Sequence, residues 1–299
     1  MVTIIAIPFG SKLLVGIICD NVPILGSTKK NYLILSGIVA FLLITPCGLF
    51  DIKSPYVFIA LITTTTGCVA IMDVVLDGLM VISARIDPQN GSQDLQSLCW
   101  LSGCIAGMTG YIVGGIFTHL GYSRQAFLIM TGLFLITNIQ ACFLDKELEG
   151  ETSQLVSKLS QLERIKLNIV QIKSALKTRE LTNVFIFVLI QGGLLPRYDD
   201  YVYYYLTDEK YLGVDKMTYG FIKVLSFLGT FIGVVVYSYF FKQTPIRTLM
   251  VIATSLNVLS GILMTIFLKE IYFGINPLVF VGLVQMFSDA FSMAFTSMP

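Results

Sequence analysis

Ionisable side chains inside an apolar helix are costly and usually face a cavity or one another. Lys12, Asp73, Asp77 and Asp289 are therefore the first residues to place. Asp73 and Asp77 stand at i and i+4, on one face of a helix. Asp77 lies eight residues before Arg85, and Lys12 lies eight before Asp20. If Arg85 and Asp20 mark one membrane edge, Lys12 and Asp77 share a depth of about 12 Å, and Asp73 lies at about 18 Å. Lys12 is then expected to approach Asp73 or Asp77, with Asp77 preferred as its partner because it shares the depth. Two close carboxylates repel when both are ionised. The group reads either as a proton-coupling device with Asp73 as the carrier, or as a buried cluster that only fixes helix packing. Asp289, in a later apolar run, reads as a further pathway acid or as a packing contact. Arg197 follows Pro196 in the run from Gly192 to Tyr205, which is rich in tyrosine. That run is either a broken helix offering aromatic rings to a flat ligand or an aromatic belt at the outer interface. Lys223 is close enough to its span's end to snorkel outward or to reach a ligand.

These residues sit in a chain of 299 residues that is 55% hydrophobic and 13% charged, with a mean hydropathy of +0.78. A soluble domain carries about 25% charged residues. The deficit excludes a disordered chain, a nucleic-acid binder and an ordinary cytosolic enzyme. The net charge of +1 supplies no field for a polyanion. The expected fold class is an all-α membrane protein, because each crossing needs roughly 20 apolar residues. Nine stretches qualify: Met1–Cys19, Tyr32–Phe50, Pro55–Ala84, Leu95–Leu120, Gln125–Leu144, Leu181–Leu206, Met217–Phe241, Ile246–Leu268 and Pro277–Met298. No cofactor motif stands out, and His119 has no companions that would make a metal site. The six cysteines form no CxxC pair and are expected to be free packing thiols.

Loop charge sets orientation. The loops at 20–31, 85–94, 145–180 and 242–247 hold Lys29, Lys30, Arg85, Lys146, Lys158, Arg164, Lys166, Lys173, Lys177, Arg179, Lys242 and Arg247. The alternate loops hold only Lys53, Arg124, Lys210, Lys216 and Lys269. The first set is expected in the cytoplasm. The long loop at 145–180 divides the chain into an N-terminal bundle (1–144, five spans) and a C-terminal bundle (181–299, four spans). Its apolar residues Leu155, Leu159, Leu162, Ile165, Ile169, Ile172 and Leu176 form one helical face beside a basic one. Such a helix lies on an anionic leaflet, straps the two bundles together, or does both. Five spans, a long basic loop and four spans fit a twelve-helix carrier lacking its first helix and last two.

The first span ends Gly16-x-x-x-Asp20, followed by Pro23, Gly26, Lys29 and Lys30. This is a variant of the loop that marks the major facilitator superfamily. Gly16 permits close helix approach, Asp20 can cap or pair at the helix end, and the lysines hold the loop inside. A fainter echo, Gly233 to Tyr237 followed by Lys242 and Arg247, lies 217 positions later. Duplicated carriers leave such traces. Pro8-Phe9-Gly10-Ser11-Lys12, the Gly16-to-Tyr32 stretch, Met72-Asp73 through Asp77-Gly78-Leu79 with Arg85, and Gly91 with Leu95 to Trp100 resemble the folate–biopterin transporter family. That family is a branch of the major facilitator superfamily. The likeness covers roughly residues 5–145 and departs from the family pattern at Phe9 and Leu13. It implies a major-facilitator-type two-bundle carrier working by alternating access on folate- or pterin-like small molecules, with protons as the coupling ion and the lipid bilayer as surroundings.

In the fourth span, Gly103, Gly107, Gly110 and Gly114 are spaced for close helix packing. Trp100, Gln96 and Ser97 at its start meet substrate or anchor the cytoplasmic edge. Two other classes compete. Asp73-x-x-x-Asp77 resembles half of a diphosphate–magnesium site in membrane prenyltransferases, but the second acidic cluster has only Asp199-Asp200 to draw on, toward the other membrane side. An inert, truncated membrane protein is the other rival.

Overall fold

The structure is a computed structural model, and it describes residues 2–85, 91–144, 177–194 and 199–297, with isolated helical positions between 163 and 174. The described residues form helices and turns with no strand. In order they are α1 (Val2–Gly10), α2 (Lys12–Asn21), α3 (Lys30–Leu49), α4 (Pro55–Ala84), α5 (Gly91–His119), α6 (Ser123–Cys142), α7 (Arg179–Leu194), α8 (Asp199–Thr207), α9 (Lys216–Val236), α10 (Ile246–Leu268) and α11 (Pro277–Ser297). A π-helical turn, Tyr237–Phe241, extends α9. Helices are what an apolar environment demands, since each closes its own backbone hydrogen bonds. Hydroxyls follow the same rule. Thr64, Thr65, Thr66, Thr131 and Thr254 all donate to the carbonyl one turn back.

Among the described residues, six helices are long and apolar enough to cross a membrane: α3, α4, α5, α6, α9 with its π turn, and α10. This is an integral, multi-pass membrane protein. The other three expected spans take different forms. The first is broken into α1 and α2 after Pro8, which lacks an N–H and sits inside α1. The described helix of the sixth stops at Leu194 and resumes at Asp199. The last is apolar over the shorter length Pro277–Phe291.

The chain groups into two compact units, Met1–Ser83 with Arg124–Pro196, and Ala84–Ser123 with Arg197–Pro299. The grouping departs from the expected 1–144 bundle in one helix, because α5 falls in the second unit. The reason is a continuous antiparallel seam between α5 and α9. Lys242 donates to Asp94 at 2.6 Å, Ser238 donates to Ser97 at 3.1 Å, Gly107 faces the Phe227 ring, and Gly220 faces Gly115. The amphipathic face expected at 155–176 lies almost wholly outside the described residues.

In the first unit, Cys19, Tyr32, Leu33, Met72, Val75, Leu79 and Ala141 form a core shared by α2, α3, α4 and α6. In the second, Val202, Leu206, Ile222, Met264, Phe267, Phe280, Val281 and Val284 do the same for α8 to α11. Phe267 is fully buried, edge-on to Tyr205 and stacked on Phe280. Four of the cysteines are buried thiols as expected, but Cys99 and Cys142 are exposed. The second unit is drawn tight by α9 against α11. Gly229 and Gly233 meet the backbone of Met286 and Ala290, and a methyl on either glycine would overlap a carbonyl oxygen.

Adding that methyl tests the contact. Gly233→Ala forces two backbones apart and should cost about 1–3 kcal/mol, as overpacking does. Gly103→Ala, where nothing lies within 4 Å, should be neutral or slightly stabilising. Thermal unfolding of the detergent-purified, full-length variants separates the two. Equal melting temperatures would contradict the packing described.

Candidate functional site

The charged group of the first unit is built where the first helix breaks. Ser11 bridges the two halves, its hydroxyl donating to the Pro8 carbonyl at 2.7 Å. Lys12 begins α2, with its ammonium 5.0 Å from the centre of the Phe9 ring. The same ammonium forms an ion pair with Asp73 on α4. Both partners are partly exposed, at 37% and 42% of their side chains. Lys12 therefore meets one of the two acids expected for it, and the partner is Asp73, not the preferred Asp77. Asp77 is exposed one turn further along α4, and no ion pair to it occurs among the described residues.

The physical reason is helix register. The first helix runs parallel to α4, with Pro8 against Gly67, Gly16 against Val74, and Asp20 joined through Lys29 to the level of Gly78. The offset is 58 or 59 residues at each point. Asp20 is thus level with Gly78, and Arg85 lies seven residues, about 10 Å, further along. The two chosen edge markers do not mark one plane.

The motif loop next to this group is fixed by its own polar residues. Leu25 and Gly26 both have positive φ, +48° and +80°, between the mutually bonded Ile24 and Ser27. This is the primed turn that glycine favours. Asn31 donates its amide to the Ile24 carbonyl at 2.8 Å, and the Tyr32 hydroxyl donates to Val22 at 2.8 Å. Lys29 is buried and reaches Asp20 at 2.5 Å. Lys30 donates to the carbonyls of Cys142 and Leu144 at 2.6 and 2.8 Å, where α6 ends. A cation at a helix C-terminus satisfies orphan carbonyls and opposes the dipole. Of these residues, Gly78 stood in the sequence only as part of the Asp77-Gly78-Leu79 stretch, with no role given to it. A methyl there would come within 2.7 Å of the Lys29 ammonium, so the glycine makes the lysine's channel. Its position directly after Asp77 was the available signal.

In the second unit Asp289 accepts a hydrogen bond from the Ser226 hydroxyl of α9. One turn back on α11, Gln285 is buried, and among the described residues its side-chain oxygen has no hydrogen-bond partner. Gln285 was also missed, although its i, i+4 relation to Asp289 was legible. Lys223 lies 5.9 Å from the centre of the Tyr219 ring. Arg197 lies outside the described residues. Trp100 packs on a cluster with Val234, Tyr237, Leu249 and Ala253, and Ser97 is buried, so both serve packing in this unit.

Of the four glycines expected at a helix contact, only Gly107 has one, 2.5 Å from Phe227 for an added methyl. Gly103, Gly110 and Gly114 meet open space, because α9 touches a different stripe of α5 that includes Gly115. Gly110 and Gly114 instead line a cavity of about 500 Å³, with Tyr111, Tyr203, Lys216 and Tyr219. At its rim Asp215 begins α9 and stands 3.7 Å from His119. The Thr218 hydroxyl, the first backbone N–H groups of α9 and the nearby His119 hold the Asp215 carboxyl below its ordinary range. A depressed acid stabilises above its unfolded range, and that stabilisation is lost as falling pH protonates it. Among the described residues no cluster of three or more His, Cys, Asp or Glu side chains could hold a metal.

Comparison with known proteins follows the same lines. The chain is 26% identical over 278 residues to the probable folate-biopterin transporter 5 of Arabidopsis thaliana, covering 90% of this chain and 54% of that one. It is 28% identical over 261 residues to the folate-biopterin transporter of a Synechocystis species, covering 86% and 50%. It is 24% identical over 296 residues to folate transporter 1 of Plasmodium falciparum, covering 99% and 56%. The chain thus spans about half the length of the curated relatives it matches. No solved structure matches it. The family model described as the BT1 family matches residues 1–299, and with that match over its whole length the chain belongs to the BT1 family.

Proposed function

We propose that this chain is part of a carrier that moves folate- or pterin-like molecules across a membrane by alternating access. In this reading its two units belong to a major-facilitator-type arrangement, and protons drive the transport. The observation that carries it is the family match over residues 1–299, among relatives named as folate or folate-biopterin transporters. The charged group at the helix break supports the coupling part. Lys12 neutralises one carboxylate, Asp73, and leaves Asp77 one turn away on the same face. A second negative charge in an apolar helix is costly. Asp77 is therefore the residue proposed to take a proton on one side of the membrane, becoming a neutral acid, and to release it on the other. The sequence alone gave that role to Asp73, and the observed pair moves it. Lys12 and Asp73 hold the broken helix against α4 in both states.

Uptake of labelled folate and biopterin by the full-length protein, at two pH values, tests this reading. Asp77→Asn should abolish pH-driven accumulation while leaving counter-exchange in place. Accumulation with the wild-type pH response would remove the role from Asp77, and Asp289 would be the next acid to examine.

The ion pair has its own test. An unpaired charge at mid-helix costs roughly 2.5–3.5 kcal/mol on insertion scales. Lys12→Ala should therefore lower the yield of folded protein. Adding Asp73→Ala should restore part of it, and adding Asp77→Ala should not. The yield of monodisperse protein on size-exclusion chromatography reads the difference. Rescue by Asp77→Ala alone would refute the pairing.

A further inference from the structure

The cavity of the second unit is built for a ligand of definite chemistry. Its volume, about 500 Å³, falls within the roughly 300–1,000 Å³ of small-molecule sites. One wall is aromatic. Tyr203 on α8 and Tyr219 on α9 meet edge to face at 5.1 Å, and Tyr111 on α5 is braced against Phe227 at 5.6 Å. Rings locked in this way present fixed faces and edges to a planar guest. Gly110 and Gly114 add bare backbone to the lining, where an added methyl would meet nothing within 4 Å. A flat ring can lie against a helix there without displacing a side chain. The single charged residue of the lining is Lys216, next in sequence to Asp215.

The geometry points to a binding site for a planar heteroaromatic ring that carries a carboxylate, with the ring held between Tyr203, Tyr219 and the Gly110/Gly114 face and the carboxylate drawn to Lys216. This inference rests on the proposed transport of folate- or pterin-like molecules and deepens it, because it assigns the ring and the acid to separate residues. The site is distinct from the Lys12–Asp73 pair, which belongs to the other unit. Lysine attracts the acid as a point charge, while the ring contacts are tolerant of substituents. The site should therefore bind the neutral ring weakly and the acid-bearing molecule more tightly.

Equilibrium binding of two labelled probes to the purified full-length protein tests this. Folic acid has ring and carboxylates; biopterin has the ring and a neutral hydroxylated side chain, without a carboxylate. Gly110→Leu and Gly114→Leu put side-chain bulk into the cavity from points where an added methyl meets nothing within 4 Å, and should weaken both probes by about tenfold or more. Lys216→Gln should weaken folic acid by about tenfold and leave biopterin unchanged. Gly114→Ala, one methyl, should stay within about twofold of wild type. Gly103→Leu, on the same helix with open space and outside the lining, should bind as wild type and controls for disturbance of α5. Wild-type affinity in Gly110→Leu would overturn the assignment, the cavity then being a face covered by lipid. Equal loss of both probes in Lys216→Gln would overturn the role of the ammonium. If the wild type takes up and binds neither probe, the transport reading falls and this site falls with it. If the wild type takes up both and the cavity-filling variants are unaffected, only the site falls.

Discussion

The parallel packing of the broken first helix on α4 is the constraint from which the first unit's chemistry follows. Pro8 against Gly67 and Gly16 against Val74 share an offset of 58 or 59 residues, and Lys29, held by Asp20, reaches Gly78 at the same register. A slip of one turn would bring the Lys29 ammonium against a side chain instead of a glycine and carry Lys12 away from Asp73. Small residues set the distance between the helices, and the distance decides which acid the lysine meets. The ion pair is a consequence of packing as much as a cause of it. An exposed or half-exposed pair alone contributes little.

Glycine has two opposite jobs in the second unit. At Gly229 and Gly233 it lets α9 touch the backbone of α11, a contact that dispersion alone can hold in an apolar surrounding. At Gly110 and Gly114 it leaves space that nothing fills. The residue type is the same, and only the neighbouring helix distinguishes a contact from a cavity. The α5–α9 seam runs from Asp94–Lys242 at one end to Gly115–Gly220 at the other, so α5 shares its long contact with the second unit.

Polar groups in the helices divide along the same line. Most hydroxyls turn back on their own helix and are spent on backbone carbonyls. The exceptions are those that cross between helices: Ser226 to Asp289, Ser238 to Ser97, and Ser260 to Ser288. All three lie in the second unit, where they mark the interior of a bundle whose Gln285 keeps an unsatisfied oxygen. In the first unit two ion pairs, Lys12–Asp73 and Lys29–Asp20, cross at the helix break and at the motif loop. The two units thus use different means to place polar atoms among apolar helices.

Composition and hydropathy determined the class of this protein by themselves. A chain so poor in charge can satisfy its backbone only as helices in an apolar medium, and that argument needs no neighbour. The motif loop was legible for the same reason: Gly26 is required by a local positive φ, and Lys29 and Asp20 are nine residues apart in one turn of chain. Helix register was not legible. Depth along a helix can be counted in residues, but the count needs a common origin, and only packing shows that Asp20 is level with Gly78 and not with Arg85. For the same reason the sequence named Gly103, Gly107, Gly110 and Gly114 as one stripe, while the structure uses Gly107 for contact and leaves the others open. Which face of a helix meets a partner depends on residues a hundred or more positions away, and that information exists only once the chain has packed.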